Sequence, residues 1–328
     1  MFANKNVLVT GGTGMIGRYL VNLLLDEGVN ITVVGKEKEY IPPSTVIYKR
    51  CDLTDKNNCM SVCEGMDYVF NLAGIKGSPK MATENPASFL VPTIQFSINM
   101  MEAAWKQKVK RYLFTSSIGV YAPASLLKED DVWNTFPSPH DKFAGWAKRI
   151  SELQAEAYKI EFGWDQIVIV RPANVYGRFD TFDPEKGAMV IPSLIKKVIA
   201  GENPLKVWGD GSAVRDFIHS KDVAQGMIFM MRKNPSFPVN LGSGVGVSIK
   251  ELVSVIVNCS EKNIEVVWDT SEPTGDNVRI LDTTKANQLG WQPKISLMDG
   301  ILDTYEWYKN NQNFSLSHNI FIENKKEK

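Results

Sequence analysis

Short apolar runs alternate with longer amphipathic stretches through the first half of the chain. Runs rich in valine, isoleucine, leucine and phenylalanine that end at glycine, proline or polar residues predict buried strands. The predicted strands are residues 7–9, 30–34, 46–49, 68–72, 111–115 and 167–170. Apolar positions at helical spacing between these runs predict helices, of which residues 86–107 and 143–162 are the longest. Because strands that alternate with helices build a parallel sheet through right-handed crossovers, we expect an α/β fold with a doubly wound parallel sheet.

The alternation ends after Tyr176, where proline, glycine and aspartate become frequent. Short predicted helices over residues 190–200, 220–232 and 248–257 then alternate with short strands. We therefore divide the chain into a larger domain, residues 1–176, and a smaller C-terminal lobe, residues 177–312, that binds the substrate. Residues 313–328 are polar and predict a frayed tail.

Three glycines follow the first predicted strand at a spacing of three residues. Gly11 permits a sharp turn, Gly14 removes a side chain where a pyrophosphate approaches, and Gly17 lets the next helix pack against the strand. The N–H groups and the positive dipole end of that helix favour phosphate binding. A strand, a glycine turn and a helix in this order predict a Rossmann domain, although the spacing is G-x-x-G-x-x-G rather than G-x-G-x-x-G.

The ends of the next predicted strands bear on the kind of dinucleotide. An acid at the end of the second strand would hold a ribose 2′-hydroxyl, and Gly35 occupies that position. The mixed charges of residues 36–39 cancel and contain no arginine fork for a 2′-phosphate. This pattern favours NAD and leaves NADP open. Asp52, after the third strand, is interpreted either as an acceptor for the adenine amino group or as a helix cap.

Composition narrows the classes of partner. The 328 residues carry a formal net charge of zero, which favours neither nucleic acid nor an anionic membrane surface. The four cysteines form no C-x-x-C pair and the three histidines show no metal-ligand spacing, so we expect a reducing cytoplasm and no metal. We find no apolar stretch of membrane-spanning length and no signal-peptide core, so we expect no membrane association.

Several motifs resemble those of the extended short-chain dehydrogenase/reductases, of the nucleotide-sugar epimerase and reductase type. They are the glycine motif at residues 10–17, the fourth-strand motif at 71–74, the serine stretch Ser116-Ser117 with Tyr121, Lys148 of a Tyr-x-x-x-Lys pair, and the substrate-side stretches 171–177, 208–211 and 215–219. Within this family the C-terminal half is most similar to GDP-L-fucose synthase-like proteins, at residues 190–195 and 289–291. The similarity extends over nearly the whole chain.

The resemblance implies a role for each matching residue. The cofactor-binding residues would be Gly11, Thr13, Gly14, Met15, Ile16, Gly17, Asp52, Leu53, Leu72, Ala73, Gly74 and Lys148, and the catalytic residues Ser117, Lys148 and Tyr121. The substrate-binding residues would be Ser117, Asn174, Arg215 and Arg279, because two guanidinium groups suit a diphosphate. The implied substrate is a nucleotide-diphosphate sugar. A GDP-sugar is the first expectation, and surface polysaccharide synthesis is the implied pathway. The family also implies a homodimer formed by the two longest helices, or a higher homo-oligomer.

Three departures from the family motifs affect the implied reaction. Ala144 stands where the catalytic tyrosine of the Tyr-x-x-x-Lys pair is expected. Gly119 and Met189 align with the cysteine and histidine that move protons in fucose synthase, so epimerisation beside a ketone is not expected. An acidic pair typical of 4,6-dehydratases is also missing after Ser117.

Hydride transfer at C4 of a nucleotide-linked sugar remains as the expected reaction, catalysed by an NAD-dependent oxidoreductase. Ser117 through water, Tyr121 and His140 are the candidates for moving the hydroxyl proton. The alternatives are a nucleotide-sugar 4-epimerase and a catalytically weakened NAD-binding protein.

Overall fold

The computed structural model describes residues 1–38, 40–75, 77, 79–271 and 275–314. The strands are β1 Asn6–Thr10, β2 Asn30–Gly35, β3 Ile47–Arg50, β4 Tyr68–Asn71, β5 Arg111–Thr115, β6 Ile167–Pro172, β7 Asn174–Tyr176, β8 Leu205–Trp208, β9 Val214–His219, β10 Val239–Leu241, β11 Gly246–Ser248, β12 Val266–Asp269 and β13 Val278–Arg279. The helices are α1 Met15–Leu25, α2 Lys56–Cys63, α3 Pro79–Glu84, α4 Pro86–Lys106, α5 Lys142–Phe162, α6 Val190–Ile199, α7 Ser220–Lys233, α8 Ile249–Asn258, α9 Thr284–Leu289 and α10 Leu297–Asn310. Among the described residues, no helix combines the length and the apolar content needed to cross a bilayer.

The main sheet confirms the predicted doubly wound α/β fold. Its strand order within the described residues is β10-β6-β5-β4-β1-β2-β3, and every neighbouring pair is parallel. The chain reverses direction across the sheet between β1 and β4. A crevice opens at the carboxyl ends of parallel strands where the order reverses, and this crevice is where such sheets bind ligands.

The side chains of the central strand β1 are buried on both faces of the sheet. Val7 and Val9 belong to a core with Leu20 and Leu24 of α1, whereas Leu8 between them belongs to a core with Met100 of α4. Successive side chains of a strand point to opposite faces, so a strand buried on both sides reads as a continuous apolar run. All three β1 residues are fully buried.

The rest of the chain forms a second layer of structure around its own core. Strands β11, β9 and β13 form one small sheet, with β7 paired to β9, and β12 pairs with β8 in another. Helices α6, α8 and α10 supply the apolar residues of this core, which include Ile195, Ile256 and Ile301. Most of these elements follow residue 176, whereas β7 ends at Tyr176.

Two elements of the predicted lobe return to the main sheet. Helix α7 packs against α1, with Met227 and Met230 in the core of the first domain, and β10 pairs with β6 as an edge strand. A single boundary at residue 176 is therefore too simple a division of the chain. A three-residue strand such as β10 carries too little hydrophobic pattern to be recognised in the sequence.

Candidate active site

The glycine turn after β1 is built by close backbone contacts. Gly11 has a φ of +64°, and a Cβ added there would lie 2.8 Å from the carbonyl oxygen of Leu72. A Cβ on Gly17 would overlap the carbonyl oxygen of Gly11, so the missing side chain lets α1 pack against the turn. A Cβ on Gly14 would contact only the Gly11 oxygen, at 3.4 Å, so that position is open.

The open side of Gly14 faces a cleft suited to a dinucleotide. Helix α1 begins at Met15, and no side chain caps its first N–H groups, which remain for a phosphate. The cleft has a volume of about 470 Å³. Its lining includes the predicted residues Gly11, Thr13, Gly14, Met15, Asp52, Leu53, Leu72, Ala73 and Gly74. The glycine turn is closely packed, and the first N–H groups of α1 above it are uncapped. This arrangement fits a pyrophosphate.

Three of the predicted cofactor residues do not line this cleft. Gly17 lies beneath the turn, Ile16 packs toward the core of the first domain, and Lys148 lies on α5 beside the serine stretch. The first two residues support the turn rather than the ligand.

Glu37 is a residue that the sequence reasoning missed. Its side chain folds back across Gly35, where a Cβ would lie 2.6 Å from the carboxylate, and accepts a 2.7 Å hydrogen bond from the Thr13 hydroxyl. The carboxylate therefore lies at the carboxyl end of β2, beside the glycine turn. A search for an acid two residues beyond the usual position would have found it.

Asp52 lies at the same end of the cleft and is already bonded. One carboxylate oxygen pairs with the Lys36 ammonium at 2.6 Å, and the other accepts bonds from the backbone and hydroxyl of Thr54. Asp55, rather than Asp52, is the N-cap of α2. Asp52 therefore lies at the cleft, and its carboxylate stabilises the turn between Asp52 and Thr54.

The serine stretch and Lys148 meet at the end of β5. The Lys148 ammonium donates a 2.8 Å hydrogen bond to the Thr115 carbonyl. Burial lowers the pKa of Lys148 to about 8, against the opposing effect of the Glu152 carboxylate. Ser117 is half-buried, and its hydroxyl oxygen accepts a 3.0 Å bond from the backbone N–H of Gly119. The structure therefore places the Lys148 ammonium at the end of β5, on the carbonyl two residues before Ser117.

A buried polar network lies behind the serine stretch. The Ser116 hydroxyl donates to the Glu152 carboxylate at 2.6 Å, and Glu152 in turn receives two bonds from the Arg171 guanidinium, at 2.9 and 2.5 Å. Arg171 and Glu152 are both almost fully buried. This network fixes the backbone that carries Ser117.

Tyr121 belongs to this network and not to the cleft. Its hydroxyl donates to the Asn240 side-chain oxygen at 2.6 Å and accepts from Arg171 at 3.0 Å, and burial raises its pKa. A buried hydroxyl with both partners taken does not exchange a proton with a sugar, so we do not retain a catalytic role for Tyr121. His140 is exposed on the turn before α5, and we do not retain it either.

Arg215 and Arg279 lie side by side on the paired strands β9 and β13. Burial lowers the pKa of Arg215, and the positive charge of Arg279 lowers it further. The carboxylates of Asp276 and Asp141 partly offset this repulsion, and two neighbouring guanidinium groups have the charge and the donors that suit a diphosphate. Asn174, the third predicted substrate residue, donates its amide to the Asp216 carbonyl at 2.8 Å on β9, beside this pair.

The positions that depart from the family motifs lie on α5, in the turn after Ser117 and at the start of α6. Ala144 is half-buried on α5, one turn before Lys148. Gly119 is buried in the 3₁₀ turn after Ser117, and Met189 is the N-cap residue of α6. None of these three side chains transfers a proton.

The fold and the cleft together define a class, the dinucleotide-dependent α/β enzymes. The chain belongs to the NAD dependent epimerase/dehydratase family, whose model matches residues 7–242. This match confirms the predicted family and an NAD(P)-dependent enzyme.

Relatives and solved structures match along nearly the whole chain. GDP-L-fucose synthase 1 of Arabidopsis thaliana is 30% identical over 94% of this chain and 94% of its own length. The UDP-glucose 4-epimerase of Thermotoga maritima, solved with UDP-glucose, has a TM-score of 0.84 at 27% identity, covering 94% of this chain and 99% of that one. A GDP-mannoheptose C4 reductase of Campylobacter jejuni, solved with NADP, has a TM-score of 0.80 at 25% identity, covering 94% and 99%.

Proposed function

We propose that the protein is an NAD-dependent oxidoreductase that transfers a hydride at C4 of a nucleotide-linked sugar, of which GDP-sugars are the first class to test. The observation that carries this proposal is the pair Arg215 and Arg279 next to Ser117. The pair suits the diphosphate of such a substrate, and relatives named for GDP-sugars support the choice of nucleotide.

Each residue of the site has a task in this reaction. The arginine pair binds the diphosphate, and the Ser117 hydroxyl orients the sugar oxygen at the reacting carbon. The Lys148 ammonium holds the ribose next to the nicotinamide, and this charge is lost as the pH rises through about 8. A nicotinamide dinucleotide supplies or accepts the hydride when it is bound. Because Gly119 and Met189 carry no acid or base, protons at C3 and C5 stay in place.

NAD is the proposed dinucleotide because of Glu37. Its carboxylate at the end of β2 is suited to accept a hydrogen bond from a ribose hydroxyl and repels a 2′-phosphate. Lys36, which directly precedes Glu37, is already paired with Asp52.

A turnover assay in deuterated water tests the function. We expect NADH to form slowly when NAD⁺ is incubated with the protein and a panel of GDP-L-fucose, GDP-mannose and UDP-glucose. One sugar should react without deuterium entering C3 or C5, and NADP⁺ should react less well. The rate should fall above pH 8 as Lys148 loses its proton. Ala144→Tyr should accelerate turnover, since a positioned acid or base contributes about 10²–10⁴-fold.

Two outcomes of that assay would contradict the proposal. Deuterium at C3 or C5 would assign an epimerising reaction to the site. Unchanged absorbance together with an unchanged configuration at C4 of every sugar, in the wild type and in Ala144→Tyr alike, would favour the catalytically weakened NAD-binding protein.

A 4-epimerase is the second candidate, favoured by the similarity to the UDP-glucose 4-epimerase structure. Such an enzyme oxidises and reduces the same carbon, so the cofactor absorbance returns to its starting value. Inversion at C4 of the recovered sugar would distinguish it from net oxidation.

A homodimer is part of the proposal. Helices α4 and α5 pack side by side, and their outer surface leaves Val91, Leu153 and Ile160 exposed by 48%, 52% and 77%. Contiguous apolar residues on two neighbouring helices mark an interaction surface. We expect sizing chromatography with light scattering to give twice the 36.7 kDa chain mass at micromolar concentration, and a monomer would contradict this. The four free cysteines support a cytoplasmic location.

A further inference from the structure

We propose that Asp141 does the work of the missing tyrosine, as the group that takes up and returns the proton of the reacting sugar hydroxyl. This inference rests on the proposed function and adds a residue to it. The carboxylate of Asp141 faces the serine stretch from the turn that leads into α5.

The spacing along α5 places Asp141 on the face that the active site uses. Ala144 and Lys148 are four residues apart and share one face of α5, and Asp141, the N-cap residue of this helix, lies three residues before Ala144. Asp141 thus lies one turn before the tyrosine position. The side chain at that position is only the methyl group of Ala144.

Contacts with the serine stretch support this placement. Gly145 has no side chain, and a Cβ there would overlap the carbonyl oxygen of Gly119, so α5 lies directly against the 3₁₀ turn. A Cβ on Gly119 would be 3.4 Å from the Asp141 carboxyl carbon and 3.4 Å from the Ser117 hydroxyl oxygen. One small space, the one Gly119 leaves, is therefore bounded by both the orienting hydroxyl and a carboxylate.

The arginine pair connects Asp141 to substrate binding. Arg279 pairs with Asp141 at 2.5 Å and lies 3.8 Å from Asp276, while a third N–H group donates to the Ile118 carbonyl. A diphosphate bound by Arg279 competes with the carboxylate for the guanidinium. Binding of the nucleotide therefore loosens the ion pair and frees an oxygen of Asp141 for the proton.

The chemical step balances with the groups named. In the oxidative direction the hydroxyl proton moves by way of the Ser117 hydroxyl to a carboxylate oxygen of Asp141, and a C=O bond forms at C4. The C4–H electron pair leaves as hydride to NAD⁺, the co-reactant. In the reductive direction NADH, the co-reactant, returns the hydride to C4, and the Asp141 carboxyl group gives a proton to the sugar oxygen after taking one from water.

Asp141→Asn tests the proposal, because the amide keeps the shape and removes the proton acceptor. We expect turnover of the sugar found active in the panel above to fall by about 10²–10⁴-fold. The affinity for GDP, measured by calorimetry without any sugar or cofactor, should stay equal or rise, because Arg279 has lost a competing anion. Adding Ala144→Tyr to Asp141→Asn should restore turnover at least tenfold, a rescue typical of a replaced acid or base.

Two comparison variants separate chemistry from positioning. Asp276→Asn removes the other carboxylate near Arg279, and its effect should appear in KM rather than in kcat. His140→Gln changes the exposed neighbour on the same turn and should leave turnover unchanged.

Several results would overturn the proposal. Near-normal turnover in Asp141→Asn would exclude the proton role while leaving the proposed function intact. A fall in GDP affinity as large as the fall in turnover, or an equal loss in His140→Gln, would reduce Asp141 to a structural residue of the turn. A wild-type protein inactive with every sugar would remove the proposed function and this inference together.

Discussion

Gly14→Val should weaken NAD(H) binding at least about tenfold and leave the fold intact. The glycine position is open to the cleft, with only the Gly11 oxygen within 4 Å of an added Cβ, so the branched side chain fills the pyrophosphate site instead of the core. Hydrogen bonds to a charged group contribute about 1.5–3 kcal/mol each. Loss of one or two such bonds should weaken NADH binding by at least about tenfold to a hundredfold, measured by fluorescence titration.

Gly17→Val is the matched control, three residues along the same turn. Its side chain meets the Gly11 carbonyl and the Gly12 backbone, so overpacking should lower the free energy of unfolding by about 1–3 kcal/mol. The free energy of unfolding of Gly14→Val should lie within about 0.5 kcal/mol of the wild-type value. Undiminished NADH affinity in Gly14→Val would remove the glycine turn from the cofactor site.

Glu152→Leu should be among the most destabilising single substitutions in the chain. It leaves the Arg171 guanidinium, fully buried, without its carboxylate partner, and it also removes the acceptor of the Ser116 hydroxyl. Breaking a buried ion pair from one side costs about 3–5 kcal/mol. Urea unfolding followed by circular dichroism should show a loss of that size.

The double variant Glu152→Leu with Arg171→Met distinguishes the effect of an unpaired buried charge from the effect of losing the ion pair. Because the double variant has neither charge, no uncompensated ion remains. Its loss in free energy of unfolding should be well below that of Glu152→Leu alone. Equal losses in the single and double variants would show that the unpaired guanidinium is not the cause.

The main sheet and the glycine turn were predictable because each depends on local pattern. Strands β1 and β4 are buried on both faces and therefore contain unbroken apolar runs, and β2 is interrupted only by the buried Thr32. The glycine turn brings together residues that are close in sequence. Such features need no knowledge of the tertiary structure.

The roles of several site residues could not be derived in this way. The bond between Arg279 and Asp141 joins residues 138 positions apart, so no local motif marks Asp141. Tyr121 follows the serine stretch closely, yet its hydroxyl bonds to Asn240, 119 positions away, and this contact removes it from the cleft. Glu37 reaches the glycine turn only because Gly35 gives its side chain room.

The return of the chain to the main sheet through α7 and β10 limits how this protein can be recombined with others. A fragment that stops at residue 176 would leave β6 as a bare edge strand and one side of α1 without its covering helix. Exposed strand edges promote aggregation. A chimaera that exchanges substrate specificity must therefore exchange the segments before α7 and after β10 separately, with α7 and β10 kept from the parent that supplies the sheet.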